Sequence, residues 1–436
     1  MEAYDTNDVL LARKSETIKV TAGNTAECSI ALKLFASSIL DSNYILWNYS
    51  YTDYTNYFEG FSSISENTDV TSTSISDNST SFAEDTDGNK YVMIFNYDEN
   101  HYYIKSTSNI TSEISKDIKL FPFQDSLYYD DSADVLWAGL YFYDDSNGTN
   151  TLYFSKIKEL NSNNGTTPKE SNCEIAIGDD GDIFSFAIQG NNLYFAYMDS
   201  NGTYYLQRAS ITENADGTFA VSKVGSAKSV SDLGVSGAIT DIAILYDGTV
   251  YVLVSNLGNT EGDFGDSFNY YYDKSNTMYS RGALLKIQST SSGFEVVDTL
   301  GWTNSSRSID PVGNPSYTDN NGNTANLKPL EAYIPSLSES SNKFYGPRRF
   351  VAIKPKEIAI ADCGANFVMP NHDKQQKGKM FAQNRVVTVS LSNFAISNVT
   401  KLKNIKFSDL TFSGSGISGG YIDCAGCTKE DIVEEQ

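Results

Sequence analysis

The sequence predicts an all-β fold, a β-propeller of four-stranded blades. Three observations predict it. The composition suits strands and hairpins, one four-run unit recurs along the chain, and the two termini look like halves of one more unit.

The 436 residues include 29 Tyr and 23 Phe but only 9 Pro. Aromatic and β-branched side chains fit a pleated surface. Ser, Thr, Asn, Asp and Gly fill the gaps between apolar runs, as tight turns require. Hydrophobic residues make up 40% of the chain, enough for a large core.

The clearest unit opens at Ile239 and reads ITDIAILYD, GTVYVLVSN, GALLKIQST and GFEVVDTLG, four strand-like runs bounded by turn residues. Its strands are labelled A to D from the propeller axis outward. This unit spans about 239–300, a second 183–225 and a third 348–402. Weaker copies span 126–178, 81–121 and 28–78. The C-terminal stretch 407–424 reads as strands A and B of a further blade, and 8–22 as its strands C and D. Tyr421-Ile422-Asp423-Cys424 echoes Ile360-Ala361-Asp362-Cys363. Pairing the termini removes free sheet edges. One domain over 1–436 is expected, with seven blades closed by the N- and C-terminal strands; six or eight are the alternatives, since the first two units are degenerate. No stretch reads as a long amphipathic helix, although 374–383 reads as a short one.

Gly346-Pro347-Arg348-Arg349-Phe350-Val351-Ala352, Glu357-Ile358-Ala359-Ile360-Ala361-Asp362 and Asn384-Arg385-Val386 resemble the NHL-type propeller repeat. The resemblance is strongest over 345–391. It implies a bacterial extracytoplasmic propeller. Proteins of this kind include both binding scaffolds and enzymes, so the fold does not settle the function.

Net charge is −23 and the pI is near 4.4. Such a field repels phosphate backbones and anionic lipid surfaces, which argues against nucleic-acid binding. No run reaches the roughly 18 apolar residues of a membrane helix. The acidic, Asn/Ser/Thr/Tyr-rich composition points to the periplasm, cell surface or medium, with a lipid anchor compatible; an exported form would have lost its signal segment, because Met1 leads directly into polar sequence. A monomer is expected.

The five cysteines are Cys28, Cys173, Cys363, Cys424 and Cys427. An odd number argues against a closed disulfide framework. Cys424 and Cys427 form a lone CxxC, and His101 and His372 lie in separate units, so no metal site is assigned. The stretches 179–182, 85–89 and 319–323 resemble pieces of calcium loops but lack the ligand spacing and closing glutamate. No cofactor is expected, with Ca²⁺ the one candidate. No Gly-x-Ser-x-Gly elbow occurs, and no catalytic residue is assigned.

Insertion positions carry the functional argument. In a four-stranded blade the B–C loops and the D-to-A links leave on one face. Residues 257–280 and 364–383 lie between strands B and C of the fifth and sixth units, and 302–345 links these units. All three therefore fall on one face of neighbouring blades. Long loops on a rigid scaffold commonly bind. The candidate ligand-binding residues are Tyr271, Trp302, Tyr345, Arg348 and His372. The aromatic ones equally suit packing of the loops onto the blades. The expected function is binding of a protein or glycan partner. The rivals are an enzyme acting on carbohydrate or another small molecule through channel-mouth carboxylates, with Ca²⁺ as its candidate ion, and a purely structural surface protein.

Overall fold

The computed structural model describes residues 2–4, 10–13, 44–50, 55–61, 71–75, 78–84, 90–96, 101–106, 111–115, 120–130, 133, 135–144, 149–157, 169–175, 177, 181–245, 247–256, 277–279, 281–301, 316–318, 324–326, 344, 347–353, 356–362, 365–368, 377–382, 385–401, 407–413 and 416–418. Every regular element among them is a strand. None is a helix long and apolar enough to cross a membrane.

Six antiparallel meanders follow one another among the described residues. Sheet I holds Tyr44–Ser50, Thr55–Phe61 and Thr71–Ile75. Sheet II holds Asn78–Glu84, Lys90–Asn96, His101–Ser106 and Thr111–Ser115. Sheet III holds Leu120–Asp130, Val135–Asp144, Thr149–Ile157 and Lys169–Ile175. Sheet IV holds Asp182–Gln189, Asn192–Met198, Tyr204–Glu213 and Phe219–Lys223. Sheet V holds Ala238–Ile244, Val250–Asn256, Arg281–Thr290 and Gly293–Gly301. Sheet VI holds Pro347–Ile353, Glu357–Asp362, Arg385–Ser390 and Ala395–Lys401.

The first strands of sheets II to VI contact one another in sequence, and that of sheet VI comes back to Tyr44–Ser50 of sheet I. Strands A therefore surround an axis, and the fold is a β-propeller. Apolar clusters fill the gaps between neighbouring sheets. Met93 and Ile104 meet Leu136 and Leu140 between sheets II and III. Phe123, Phe154 and Phe186 meet between III and IV. Leu206 and Ile239 meet between IV and V, and Leu284 and Ile360 between V and VI. Alternation along each strand sends successive side chains into the two flanking gaps. Gly139 has no side chain because a Cβ there would lie 2.5 Å from the Phe123 ring.

One expectation is corrected. The stretch read as a short helix, 374–383, contains the strand Lys377–Ala382. It pairs with Ala365–Val368 on one edge and Phe407–Ser413 on the other, and an open edge recruits a partner. Phe407–Ser413 also pairs with Gly416–Ser418, and Leu10–Arg13 pairs with Glu2–Tyr4. The rest of 8–22 and 407–424, the stretches expected to close the ring, lies outside the described residues.

Strand A has no partner strand on its axial edge, so its amides need acceptors there. Side chains from other sheets supply them. Ser81 Oγ accepts from Leu127 N at 3.1 Å, and Asp130 Oδ2 from Gly190 N at 3.1 Å. Asp241 Oδ2 accepts from Phe350 N at 2.7 Å. The Tyr128 hydroxyl reaches from sheet III to accept from Ile244 N of sheet V at 3.2 Å. Gln189 Nε2 in turn donates to Leu245 O at 2.6 Å.

A repeated irregularity aims several of these groups. Register shifts fall between Ser79 and Ser81, Ile183 and Ser185, Ile239 and Asp241, and Pro347 and Arg349. A bulge turns the chain so that the next side chain points differently from its place in a regular strand. The residue after each bulge is polar and buried: Ser81, Ser185, Asp241 and Arg349. In sheet III the wider irregularity between Pro122 and Leu127 includes buried Ser126.

Candidate functional site

The candidate site is the face where strands A begin and strands B end. Two insertions meet there. Thr277–Tyr279, from the B–C insertion of sheet V, pairs antiparallel with Ala365–Val368, from the B–C insertion of sheet VI. With Lys377–Ala382, Phe407–Ser413 and Gly416–Ser418 they form one five-stranded sheet. In the third insertion, Ser316–Thr318 and Thr324–Asn326 form a hairpin, and Phe344 bridges back to Gly282 of sheet V. Phe344 is fully buried and belongs to the apolar cluster between sheets V and VI. This insertion is thus tied to the scaffold at its end.

On the same face, the starts of strands A in sheets V and VI are held together by polar groups. Thr240 Oγ1 donates to Pro347 O at 2.8 Å. Asp241 accepts from Phe350 N through Oδ2 and from Ile242 N through Oδ1 at 2.8 Å. Arg349 Nη1 stands 3.9 Å from Asp241 Oδ1, with both side chains about nine-tenths buried. A buried pair of this kind fixes geometry more than it adds stability. Asp362, at the end of strand B in sheet VI, is fully buried.

Sheets III and IV present a different surface on the same face. The Tyr141 hydroxyl donates to Asp182 Oδ1 at 3.1 Å, and Ile183 N donates to the same oxygen at 2.7 Å. Phe121, 45% exposed, lies over the Tyr141 ring at 5.8 Å. Tyr197 and Tyr205 stack at 5.3 Å with an interplanar angle of 19°. Desolvation pushes the Tyr197 phenol up to about 12, helped by Tyr205, Asp199 and Cys173. Cys173 is a buried free thiol, itself raised to about 11, chiefly by burial. The B–C turn of sheet IV is short: Asp199 accepts from Asn201 N and Thr203 N, each at 3.0 Å.

Of the sequence-predicted site residues, Arg348 is the bulged residue of Pro347–Ile353. Tyr271, Trp302, Tyr345 and His372 lie outside the described residues. So do Cys28, Cys363, Cys424, Cys427, and, within the calcium-like stretches, Asp179, Asp180, 85–89 and 319–323. The sequence reasoning missed Asp241 and Tyr141, and read Asp182 only within the calcium-like stretch 179–182. The signal of Asp241 was a polar residue inside an otherwise apolar inner strand.

A family model described as the TdpA C-terminal domain matches residues 324–410, a stretch that includes sheet VI and the inserted hairpin. No curated protein matches the chain. Among solved structures, the chain is similar to a GH43 glycoside hydrolase engineered to display both endo-xylanase and exo-arabinofuranosidase activity. Identity there is 9%, with 88% of this chain and 97% of that one covered, at a TM-score of 0.28. A GH43 endo-arabinanase from Bacillus licheniformis matches at 11% identity, covering 77% and 94%, with a TM-score of 0.24. Sucrose-6-phosphate hydrolase from Lactobacillus gasseri matches at 11% identity, covering 87% and 94%, with a TM-score of 0.30. Scores this low carry no argument, and the propeller assignment rests on strand order and axial contacts.

Proposed function

We propose that this chain is an extracytoplasmic binding propeller, and that a protein or glycan partner docks across the insertion face over sheets V and VI. One observation carries the proposal: Thr277–Tyr279 and Ala365–Val368, inserted into neighbouring sheets, pair with each other. Two separate loops thereby become one surface. A propeller closes without such additions, and ordering them costs conformational entropy, so a retained composite surface suits an occupant. The resemblance of 345–391 to NHL-type repeats fits an envelope scaffold, with a lipid anchor in the native form. The rival reading is an enzyme with channel-mouth carboxylates. It is disfavoured at Asp241, whose oxygens are engaged by Phe350 N, Ile242 N and the neighbouring Arg349.

The test replaces 257–280 and 364–383 by short turns. Far-UV circular dichroism should keep its strand signature, because the strands of the six sheets remain. The parent is screened on a glycan array and against envelope extracts, and the strongest partner is titrated against both proteins. Loss of binding on trimming is expected, with Tyr271→Ala, Trp302→Ala, Tyr345→Ala, Arg348→Ala and His372→Ala each weakening it about tenfold, as binding hot spots do. Unchanged affinity in the trimmed protein overturns the proposal.

A further inference from the structure

The insertion face is stepped. Its B–C insertions over sheets V and VI build the added five-stranded sheet, whereas sheet IV has the short B–C turn at Asp199 to Thr203 and a D-to-A link whose Lys228–Ser229 pairs with Tyr205 and Leu206. The tops of sheets III and IV are the floor of this neighbouring part of the face.

Register shows what lies on that floor. Tyr141 stands opposite Phe121 and Leu152 in sheet III, and Tyr197 opposite Ile183 and Tyr205 in sheet IV. Directly opposed residues share a face of their sheet. Leu152 and Ile183 both belong to the cluster between the two sheets, so the two aromatic rows face each other across that gap. Phe121 is exposed and Tyr141, Tyr197 and Tyr205 are half-buried, which leaves rings available at the rim. Asp182, half-buried, sits between the rows beneath the Tyr141 hydroxyl.

A second observation comes from Asn150. It stands opposite Tyr143 and Ile175, one residue pair beyond Leu152 on the same face. Its side chain is fully buried, and neither Oδ1 nor Nδ2 has a hydrogen-bond partner. Buried carboxamides are ordinarily satisfied, and an unsatisfied one marks a place for a water or a ligand group. It offers one acceptor and two donors.

From these two observations we infer that the floor over sheets III and IV binds a neutral glycan. Aromatic rings present apolar faces suited to the C–H side of a sugar ring, while carboxylate and carboxamide groups suit its hydroxyls. The chain's charge of −23 opposes anionic sugars. The inference deepens the proposed function and rests on it: it names a neutral glycan as the partner of the insertion face.

The experiment titrates neutral oligosaccharides of α- and β-linked hexoses and pentoses by calorimetry. It uses the parent, Phe121→Ala, Tyr205→Ala and the trimmed protein, each checked by melting temperature. At least one oligosaccharide should bind the parent. Phe121→Ala, at an exposed ring, should weaken it about tenfold with an unchanged melting temperature. Tyr205→Phe should retain binding where Tyr205→Ala loses it, since stacking needs the ring. If trimming abolishes binding but both alanine variants bind as the parent does, the floor is wrong and the insertion-face proposal stands. If no neutral oligosaccharide binds the parent, or only a protein partner does, the inference is overturned.

Discussion

Asp241→Ala should destabilise the fold by about 3–5 kcal/mol, the cost of removing one member of a buried ion pair. Two losses combine. Arg349, with about a tenth of its side chain exposed, is left beside a missing carboxylate. Phe350 N also loses an acceptor at 2.7 Å, on an axial edge with no partner strand. Asp241→Asn retains an oxygen for that amide while removing the charge, so it should cost less, about 1–3 kcal/mol. Replacing Asp241 and Arg349 together by leucine should recover part of the loss but not all, because the Phe350 amide stays unsatisfied. Denaturant melts followed by tryptophan fluorescence read all three. A loss under about 1 kcal/mol for Asp241→Ala would show that sheets V and VI are joined by other means.

Phe186→Ala should cost a similar amount, about 3–5 kcal/mol, through a cavity. Phe186 is fully buried, and its ring meets Phe123 edge-on at 5.3 Å, Phe154 at 5.8 Å and Tyr128 at 6.1 Å. Tyr128 is the residue whose hydroxyl crosses to Ile244 N, so the cavity also loosens a support of that cross-axis bond. Phe186→Leu, which keeps most of the volume, should cost about 1.5 kcal/mol or less. The same melts check both, and equal costs for the two variants would contradict a cavity mechanism.

The strands were legible because each blade writes its hydrophobic runs between turn residues. The four runs opening at Ile239 become Ala238–Ile244, Val250–Asn256, Arg281–Thr290 and Gly293–Gly301. What held the blades together was also written but went unread. Ile239-Thr240-Asp241-Ile242, Ile183-Phe184-Ser185-Phe186, Ser79-Thr80-Ser81-Phe82 and Pro347-Arg348-Arg349-Phe350 share one pattern, a polar third residue followed by an apolar one. Each polar residue follows a bulge, and a bulge hides it from period-two counting. Lys377–Ala382 was misread for another reason. Its Lys, Met and Ala suit a helix, but pairing with two neighbouring strands outweighs that preference. The C-terminal partner of this strand was invisible from sequence, since Phe407–Ser413 carries a strand pattern that fits any open edge. Tyr141 and Asp182 lie in different sheets, and nothing in their spacing brings a phenol to a carboxylate.

The central claim is that insertions from two neighbouring blades make one surface, and a cross-strand disulfide tests it most directly. Met278 and Phe367 are register partners in the antiparallel pair. Directly opposed positions have Cα separations within the range a disulfide spans. Met278→Cys and Phe367→Cys are introduced with Cys28, Cys363, Cys424 and Cys427 changed to serine, while Cys173 stays because its buried thiol, raised to about 11, reacts poorly. After mild oxidation, peptide mass spectrometry should find residues 278 and 367 cross-linked within one chain in nearly all molecules, and far less in a control pairing residue 278 with a cysteine at Lys377. Free thiols at both positions after oxidation, or cross-linking no greater than in the control, would contradict a joined surface and the binding function built on it.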